Sequence, residues 1–254
     1  MEDLLELKTE ENDLLELKTE NTYRETTGLS IHRLKDEIVC TTEPIATAPS
    51  LESLVLEATD GFIPLWARGS VLHWRFNFES LDKYKRSEKV KDRYRQLFAQ
   101  AVYSWGDASP IRFKEVNEAP DFEVYMETFD RCTPSGCTLA SAFFPSPGRE
   151  KLYVYPKMFS QVQKEQVDTL IHEIGHIFGL RHFFAGESER NFPSAVFGTH
   201  SPFTIMNYGI LSELTDQDKS DLKRLYAAVW SGSLYEVNRT PIKLFSPYHV
   251  NVLT

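Results

Sequence analysis

His172-Glu173-Ile174-Gly175-His176-Ile177-Phe178-Gly179-Leu180-Arg181-His182 is the stretch whose reading decides the fold. Residues four apart on a helix share a face, so His172 and His176 can turn two imidazoles toward one ion. Val167, Leu170, Ile171, Ile174 and Phe178 form a stripe on a different face, which predicts a helix fastened to a core on one side and turned to a metal on the other. Glu173 stands beside the two histidines without joining them, a position from which a carboxylate can act on water at the metal. His182 cannot share that straight face. The chain must turn after Phe178, and Gly179 can take the left-handed conformation such a turn needs.

Three neutral imidazoles and one open position are the ligand set of a catalytic zinc. A structural zinc would close its shell with a fourth side chain, usually cysteine, and no cysteine is near in sequence. The competing reading is a buried helix whose histidines only satisfy hydrogen bonds. HExxH alone arises by chance often enough to leave that reading open, but the longer pattern fixes five positions of uncommon types.

Working outward, Leu72, Trp74, Phe76 and Phe78 alternate with His73, Arg75 and Asn77, as in a strand with one buried face. Ser87 can cap a helix in which Val90, Tyr94, Leu97, Ala101 and Trp105 recur at helical spacing, with Gly106 and Pro110 ending it. Further strands are expected over 111–116, 121–127, 138–144 and 151–155. The helix carrying the histidines should run from about 161 to 178. Another begins near Thr215, with Asp218 three residues on as its capping partner, and carries Leu222, Leu225, Tyr226 and Val229. This order predicts an α+β domain with a twisted, mostly antiparallel or mixed sheet.

The full pattern at 172–182 resembles the signature of the metzincin clan of zinc metalloproteases, HExxHxxGxxH. Thr204-Ile205-Met206-Asn207-Tyr208-Gly209 is similar to that clan's methionine turn, so Met206 is expected to form a hydrophobic base beneath the imidazoles. The order of elements from Val71 to Val229 resembles a matrixin catalytic domain. Leu214-Thr215-Asp216-Gln217-Asp218 followed by Leu225-Tyr226 looks like its C-terminal helix. Thr138, Leu139, Ala140, Ser141 and Ala142, running into Phe143-Phe144-Pro145, look like its substrate-binding edge strand. The resemblance implies peptide hydrolysis with one catalytic Zn2+, Glu173 as general base and Gly209 at the rim of the S1′ pocket.

There are departures. No histidine lies between His73 and His172, so the second, structural zinc of matrixins is not expected, nor is calcium, whose acidic segments are not recognisable. Tyr208 stands two residues after the turn methionine, where astacins and serralysins carry a tyrosine that can ligate zinc and swing toward the oxyanion. Matrixins lack it. The loop between His182 and Met206 is also longer than matrixins use.

The net charge of -9 is concentrated at one end: residues 1–60 hold fifteen acidic against five basic residues, and the remainder hold 22 against 23. A basic face able to neutralise phosphates is therefore not expected, which argues against a nucleic-acid partner. No apolar run approaches the roughly 18–20 residues needed to span a bilayer. The opening MEDLLELKTE is acidic and not read as a signal peptide, so the chain is cytoplasmic as read, or secreted if a leader has been removed. Residues 3–12 and 13–21 are a near duplication, read as a frayed acidic arm. Residues 40–69, with Pro44, Pro49 and Pro64, are read as a covering or linking segment rather than a core element.

The expected division is an acidic N-terminal extension or prosegment over 1–60, a metzincin catalytic domain over 61–232 and a tail over 233–254, acting as a monomer on protein or peptide substrates. Cys132 and Cys137 either close a small loop by a disulfide, sustained only in an oxidising compartment, or remain two thiols. Cys40 lies upstream of the first domain strand. Matrixin zymogens use a prosegment cysteine to occupy the metal's open position, and Cys40 is the candidate here, although Ile38-Val39-Cys40-Thr41-Thr42 does not match the family's switch motif. Two other classes compete with protease: a zinc-bearing binding module without catalysis, and a metal hydrolase of a non-peptide amide.

Overall fold

Leu72, Trp74 and Phe76 are buried while Val71, His73 and Arg75 are half-exposed, so the period-two run forms the expected one-faced strand as far as Phe76. Phe78 does not continue it: it starts a short helix and is exposed. The computed structural model describes residues 14–16, 38–39, 54–58, 61–133, 136–182, 194–197, 205–206 and 212–252. Its first elements are strands β1 (Ile38–Val39), β2 (Leu54–Glu57), β3 (Ile63–Trp66) and β4 (Val71–Phe76), then helices α1 (Phe78–Leu81) and α2 (Ser87–Trp105). Strands β5 (Arg112–Glu115), β6 (Phe122–Met126), β7 (Arg131–Thr133), β8 (Gly136–Thr138), β9 (Ala140–Ser141) and β10 (Glu150–Val154) follow. Helices α3 (Pro156–Phe159) and α4 (Gln163–Ile177), strand β11 (Ser194–Phe197), helix α5 (Asp216–Trp230), strands β12 (Glu236–Val237) and β13 (Thr240–Phe245), and helix α6 (Tyr248–Val252) complete the order.

The main sheet has the order β5-β4-β6-β10-β9. Strand β4 is parallel to β5 and β6, β10 is parallel to β6, and β9 is antiparallel at the edge. The sheet is thus mixed, and parallel pairs predominate over the antiparallel pairing that was the other expectation. Parallel neighbours need long crossovers, and α2 supplies the one between β4 and β5. Helix α2 lays Val90, Tyr94, Leu97, Phe98, Ala101 and Trp105 on the core. There Trp74 meets Phe76, Tyr94 and Phe98 at centroid distances of 5.3, 5.9 and 5.4 Å, mostly edge-on or tilted as ring quadrupoles favour. Helix α2 starts at Ser87 behind an Arg86 N-cap that makes no side-chain cap bond, so Ser87 is not the cap it was expected to be. Helix α5 does carry the reciprocal Thr215–Asp218 capping box.

Several segments pack differently from their sequence reading. Ile63, Leu65 and Trp66 are buried in β3, a strand inside the segment read as covering. The strand expected over 138–144 is split into β8 and β9. Leu139, between them, accepts from the Tyr155 amide at 2.9 Å, which continues the β9–β10 register. Leu56 and Ala58 are fully buried, and β2 pairs with β11, so the core begins before residue 61. The 233–254 tail is woven in as well, because β13 runs parallel to β3 with Phe245 opposite Trp66. Even 14–16 are docked rather than frayed: Leu14 is buried, and the Glu16 carbonyl accepts from the Lys85 amide at 2.8 Å. The rest of the duplicated repeat lies outside the described residues. Cys132 and Cys137 are joined across the antiparallel β7–β8 pair, so the disulfide is the alternative realised. No helix among the described residues is long and apolar enough to cross a membrane.

Burial pushes the Asp218 carboxyl up to about 6, against hydrogen bonds from Thr215 that lower it, with Asp221 adding to the rise. A raised carboxyl favours the protonated form in the fold, so ionisation costs stability as pH climbs from about 4 to about 6, and the full cost is present above that. Asp218→Asn keeps an acceptor for Thr215 without the charge. It should be more stable than the parent by about 1–2 kcal/mol at pH 7, with the gain gone at pH 4, in denaturant titrations at the two pH values. A parent that is the more stable at pH 7 would show that the charge is compensated.

Candidate metal centre

Helix α4 is buried almost throughout its second half, from Thr169 to Ile177, so both its apolar stripe and its histidine face are covered. His172 is 2% exposed, and His176 and His182 are fully buried. The Nε2 atom of His172 lies 3.1 Å from that of His176 and 3.2 Å from that of His182. Their Nδ1 atoms are held separately: His172 donates to the Ile205 carbonyl at 2.8 Å and His176 to the Leu180 carbonyl at 2.8 Å.

A carbonyl can only accept, so Nδ1 carries the proton in both rings, and each neutral imidazole presents a lone pair at Nε2. Two lone pairs facing each other at 3.1 Å repel and cannot form a hydrogen bond. A cation between them turns that repulsion into attraction. Zinc–nitrogen bonds of about 2.0–2.1 Å at tetrahedral angles set donors roughly 3.3–3.4 Å apart. The residues present therefore fit zinc, and the backbone carbonyls behind the rings are the outer shell such a site needs.

Glu173 is 1% exposed and stands outside the ligand cluster. The Ala142 amide donates to its Oε2 at 2.7 Å, fixing the carboxylate against the residue that follows β9. That amide was read as part of a substrate-binding ladder. It donates to Glu173, and the regular strand beside it spans Ala140–Ser141. Thr138, Leu139, Ala140 and Ser141 are all buried.

The turn that delivers His182 follows the predicted device. Gly179 has φ of 89°, and its amide bonds the His176 carbonyl at 2.8 Å. A Cβ there would also stand 2.9 Å from the Pro64 carbonyl oxygen, so glycine is required twice over. Gly175 is a requirement that sequence reading passed over. A Cβ on it would come 2.5 Å from the Met206 sulfur, so a glycine in mid-helix is what lets buried Met206 close against α4. Trp105 was read only as core, yet its indole N–H also bonds the Ile171 carbonyl at 3.1 Å. Tyr208, Gly209 and Cys40 lie outside the described residues.

A second group, His73, Asp121 and His249, also gathers potential ligands. Its geometry differs from the triad. The two rings stack at 3.8 Å and 15°, so their in-plane lone pairs run side by side and do not converge. The Asp121 oxygens already accept from the His73 amide at 2.6 Å, the His249 amide at 2.8 Å and His249 Nδ1 at 2.9 Å. Burial, and then the neighbouring His249, lower the His73 pKa, as suits a neutral ring beneath its partner. This is a clasp that fastens α6 to the sheet.

Gly175→Ala tests the close approach of Met206. Alanine gains about 1 kcal/mol in helix propensity, yet overpacking against a buried thioether costs roughly 1–3 kcal/mol. The variant should melt no higher than the parent and should lose metal more readily to a chelator. A clear rise in melting temperature would show that Met206 is free to move aside.

A profile of the matrixin peptidase family matches residues 66–227, well over half of the chain. Stromelysin-3 of Mus musculus is 30% identical over 151 residues, covering 54% of this chain and 28% of that protein. Metalloendoproteinase 1-MMP of Arabidopsis thaliana is 30% identical over 146 residues, covering 52% of this chain and 38% of that one. The chain thus spans roughly a third of the length of these relatives. A crystal structure of myroilysin aligns with a TM-score of 0.44 at 16% identity, covering 81% of this chain and 99% of that one. By its family match over 66–227, the chain belongs to the matrixin family of metallopeptidases.

Proposed function

We propose that this chain is a zinc-dependent endopeptidase in which His172, His176 and His182 hold one ion and Glu173 is the general base. The observation that carries the reading is the convergence of buried Nε2 atoms at 3.1 and 3.2 Å. When bound, zinc supplies a Lewis acid that polarises a peptide carbonyl and acidifies water. Glu173 takes a proton from the attacking water and hands it to the leaving amine, and the Ala142 amide keeps its carboxylate in place for both transfers. Tyr208 donates a hydrogen bond to the substrate oxyanion. Met206 is the apolar base beneath the ligands. An extended peptide lies along the edge formed by Thr138, Leu139, Ala140 and Ser141, and Gly209 borders the pocket for the side chain after the scissile bond.

The rival classes are met by specific features. A silent zinc module has no use for Glu173, and a family of peptidases argues for a peptide rather than another amide. The Cys132–Cys137 bond suits an oxidising compartment. Purified protein should carry one zinc per chain and lose activity on chelation. Glu173→Ala should keep zinc and fold but lose at least about a hundredfold in turnover of a peptide library. Tyr208→Phe should lose about tenfold to several hundredfold, mainly in kcat. Near-normal turnover by Glu173→Ala would sink the assignment of the base.

A second observation favours a latent form of the same enzyme. Ile38–Val39 adds as a parallel strand to Cys137–Thr138, so that Val39 pairs with the first residue of the candidate substrate edge. The triad, Glu173 and that edge are all buried in the full chain. Cys40 follows Val39, and a thiolate is a strong zinc ligand that takes the position water needs. Cys40→Ala, or removal of residues before β2, should raise peptide hydrolysis sharply over the full-length chain. Equal rates in all three forms would dispose of the latch.

A further inference from the structure

The turn after α4 has to leave the helix in one direction for His182 to meet His172 and His176. Its amides are used within the turn: Phe178 bonds Ile174 at 3.0 Å, Gly179 bonds His176 at 2.8 Å and Leu180 bonds Gly175 at 3.0 Å. Those amides satisfy the Ile174, His176 and Gly175 carbonyls, and the carbonyls beyond them must find donors elsewhere. Three of these, on Ile177, Phe178 and Leu180, are met by side chains. The Trp66 indole N–H donates to Ile177 at 2.7 Å, the Tyr226 hydroxyl to Phe178 at 3.0 Å, and His176 Nδ1 to Leu180 at 2.8 Å.

Trp66 and Tyr226 are themselves coupled, since the Trp66 amide donates to the Tyr226 hydroxyl at 3.3 Å. Both side chains are almost fully buried, where burial raises the Tyr226 pKa and keeps the phenol protonated as a donor. Behind Trp66, Trp230 donates its indole N–H to the Trp66 carbonyl at 2.9 Å, and β13 pairs alongside β3 with Phe245 opposite Trp66. The Asp121–His249 clasp fixes the helix that follows β13. A continuous series of bonded groups thus runs from the C-terminal segment, through Trp66, to the carbonyl five residues before the third histidine.

We propose that Trp66 and Tyr226 are positioning residues for the metal centre, aiming the 177–182 turn so that His182 completes the ligand set, and that residues 236–252 serve as their brace. The inference rests on the zinc-site reading above. Neither side chain touches the ion or the substrate. Their effect passes through Ile177 and Phe178 to His182, as for outer-shell groups whose loss weakens metal affinity by about ten- to a hundredfold.

The test uses the full chain and zinc itself as the probe, with no reliance on turnover. Zinc affinity is measured by competition with a chromogenic chelator, and melting temperatures are taken with and without zinc. Trp66→Phe and Tyr226→Phe remove the donors while keeping an aromatic ring. Tyr84→Phe is the control, because that buried phenol donates to the Glu127 carbonyl away from α4. The expected result is zinc binding about tenfold or more weaker in Trp66→Phe and Tyr226→Phe, with a smaller zinc-induced rise in melting temperature. Tyr84→Phe should lose stability but bind zinc as the parent does. Should Trp66→Phe fail to fold, Tyr226→Phe carries the test alone. Parent-like zinc affinity in the folded variants would overturn the proposal and leave the bonds merely structural. A parent chain that neither binds zinc nor gains stability from it would overturn the metal reading first.

Discussion

Two imidazole lone pairs meeting at about the distance of a hydrogen bond, with no proton between them, are the constraint on which the rest of the structure depends. Such an arrangement is unfavourable in a buried site unless a cation lies among the rings. The fold maintains it from several sides. The Ile205 and Leu180 carbonyls fix the tautomers of His172 and His176. Gly175 lets Met206 approach, and Gly179 reverses the chain within one residue. Without an ion, these devices press like-polarity groups together. That is why the site reads as preformed for a metal rather than as hydrogen-bonded core histidines.

Around that centre the layers have a clear division of labour. The mixed sheet and α2 form the aromatic core against which α4 rests, with Trp105 bridging from α2 to an α4 carbonyl. The edge containing β9 comes up beside Glu173, so one element orients the proposed base and borders the proposed path of the substrate. Helix α5 and β3 hold carbonyls of the turn to His182, and the C-terminal strand pairs alongside β3. Glu173, His172 and His176 thus share α4, while the β9 edge and the turn to His182 complete the site from other parts of the chain.

The local features were legible in the sequence, and the long-range ones were not. The ligand spacing over 172–182, the glycine turn and the Thr215–Asp218 box each lie within one helix or turn, where periodicity and capping chemistry speak directly. The Trp66–Ile177 bond joins residues 111 apart and the Trp66–Tyr226 bond residues 160 apart, and no pattern in the sequence pairs them. Strand direction was hidden for a similar reason, since alternation shows which face is buried but not which neighbour is parallel. Strand 138–144 looked continuous because its composition is extended throughout. Only the structure shows that the Ala142 amide donates to Glu173. Gly175 did carry a signal, being a costly residue in the middle of a helix, but its reason is Met206, some thirty residues away.

Zinc K-edge X-ray absorption on the purified full chain, parent and His182→Ala side by side, bears most directly on the central claim. The account predicts imidazole scattering from three nitrogen ligands at about 2.0–2.1 Å in the parent, falling to two in the variant. A shell without imidazoles, or one unchanged by loss of His182, would contradict it.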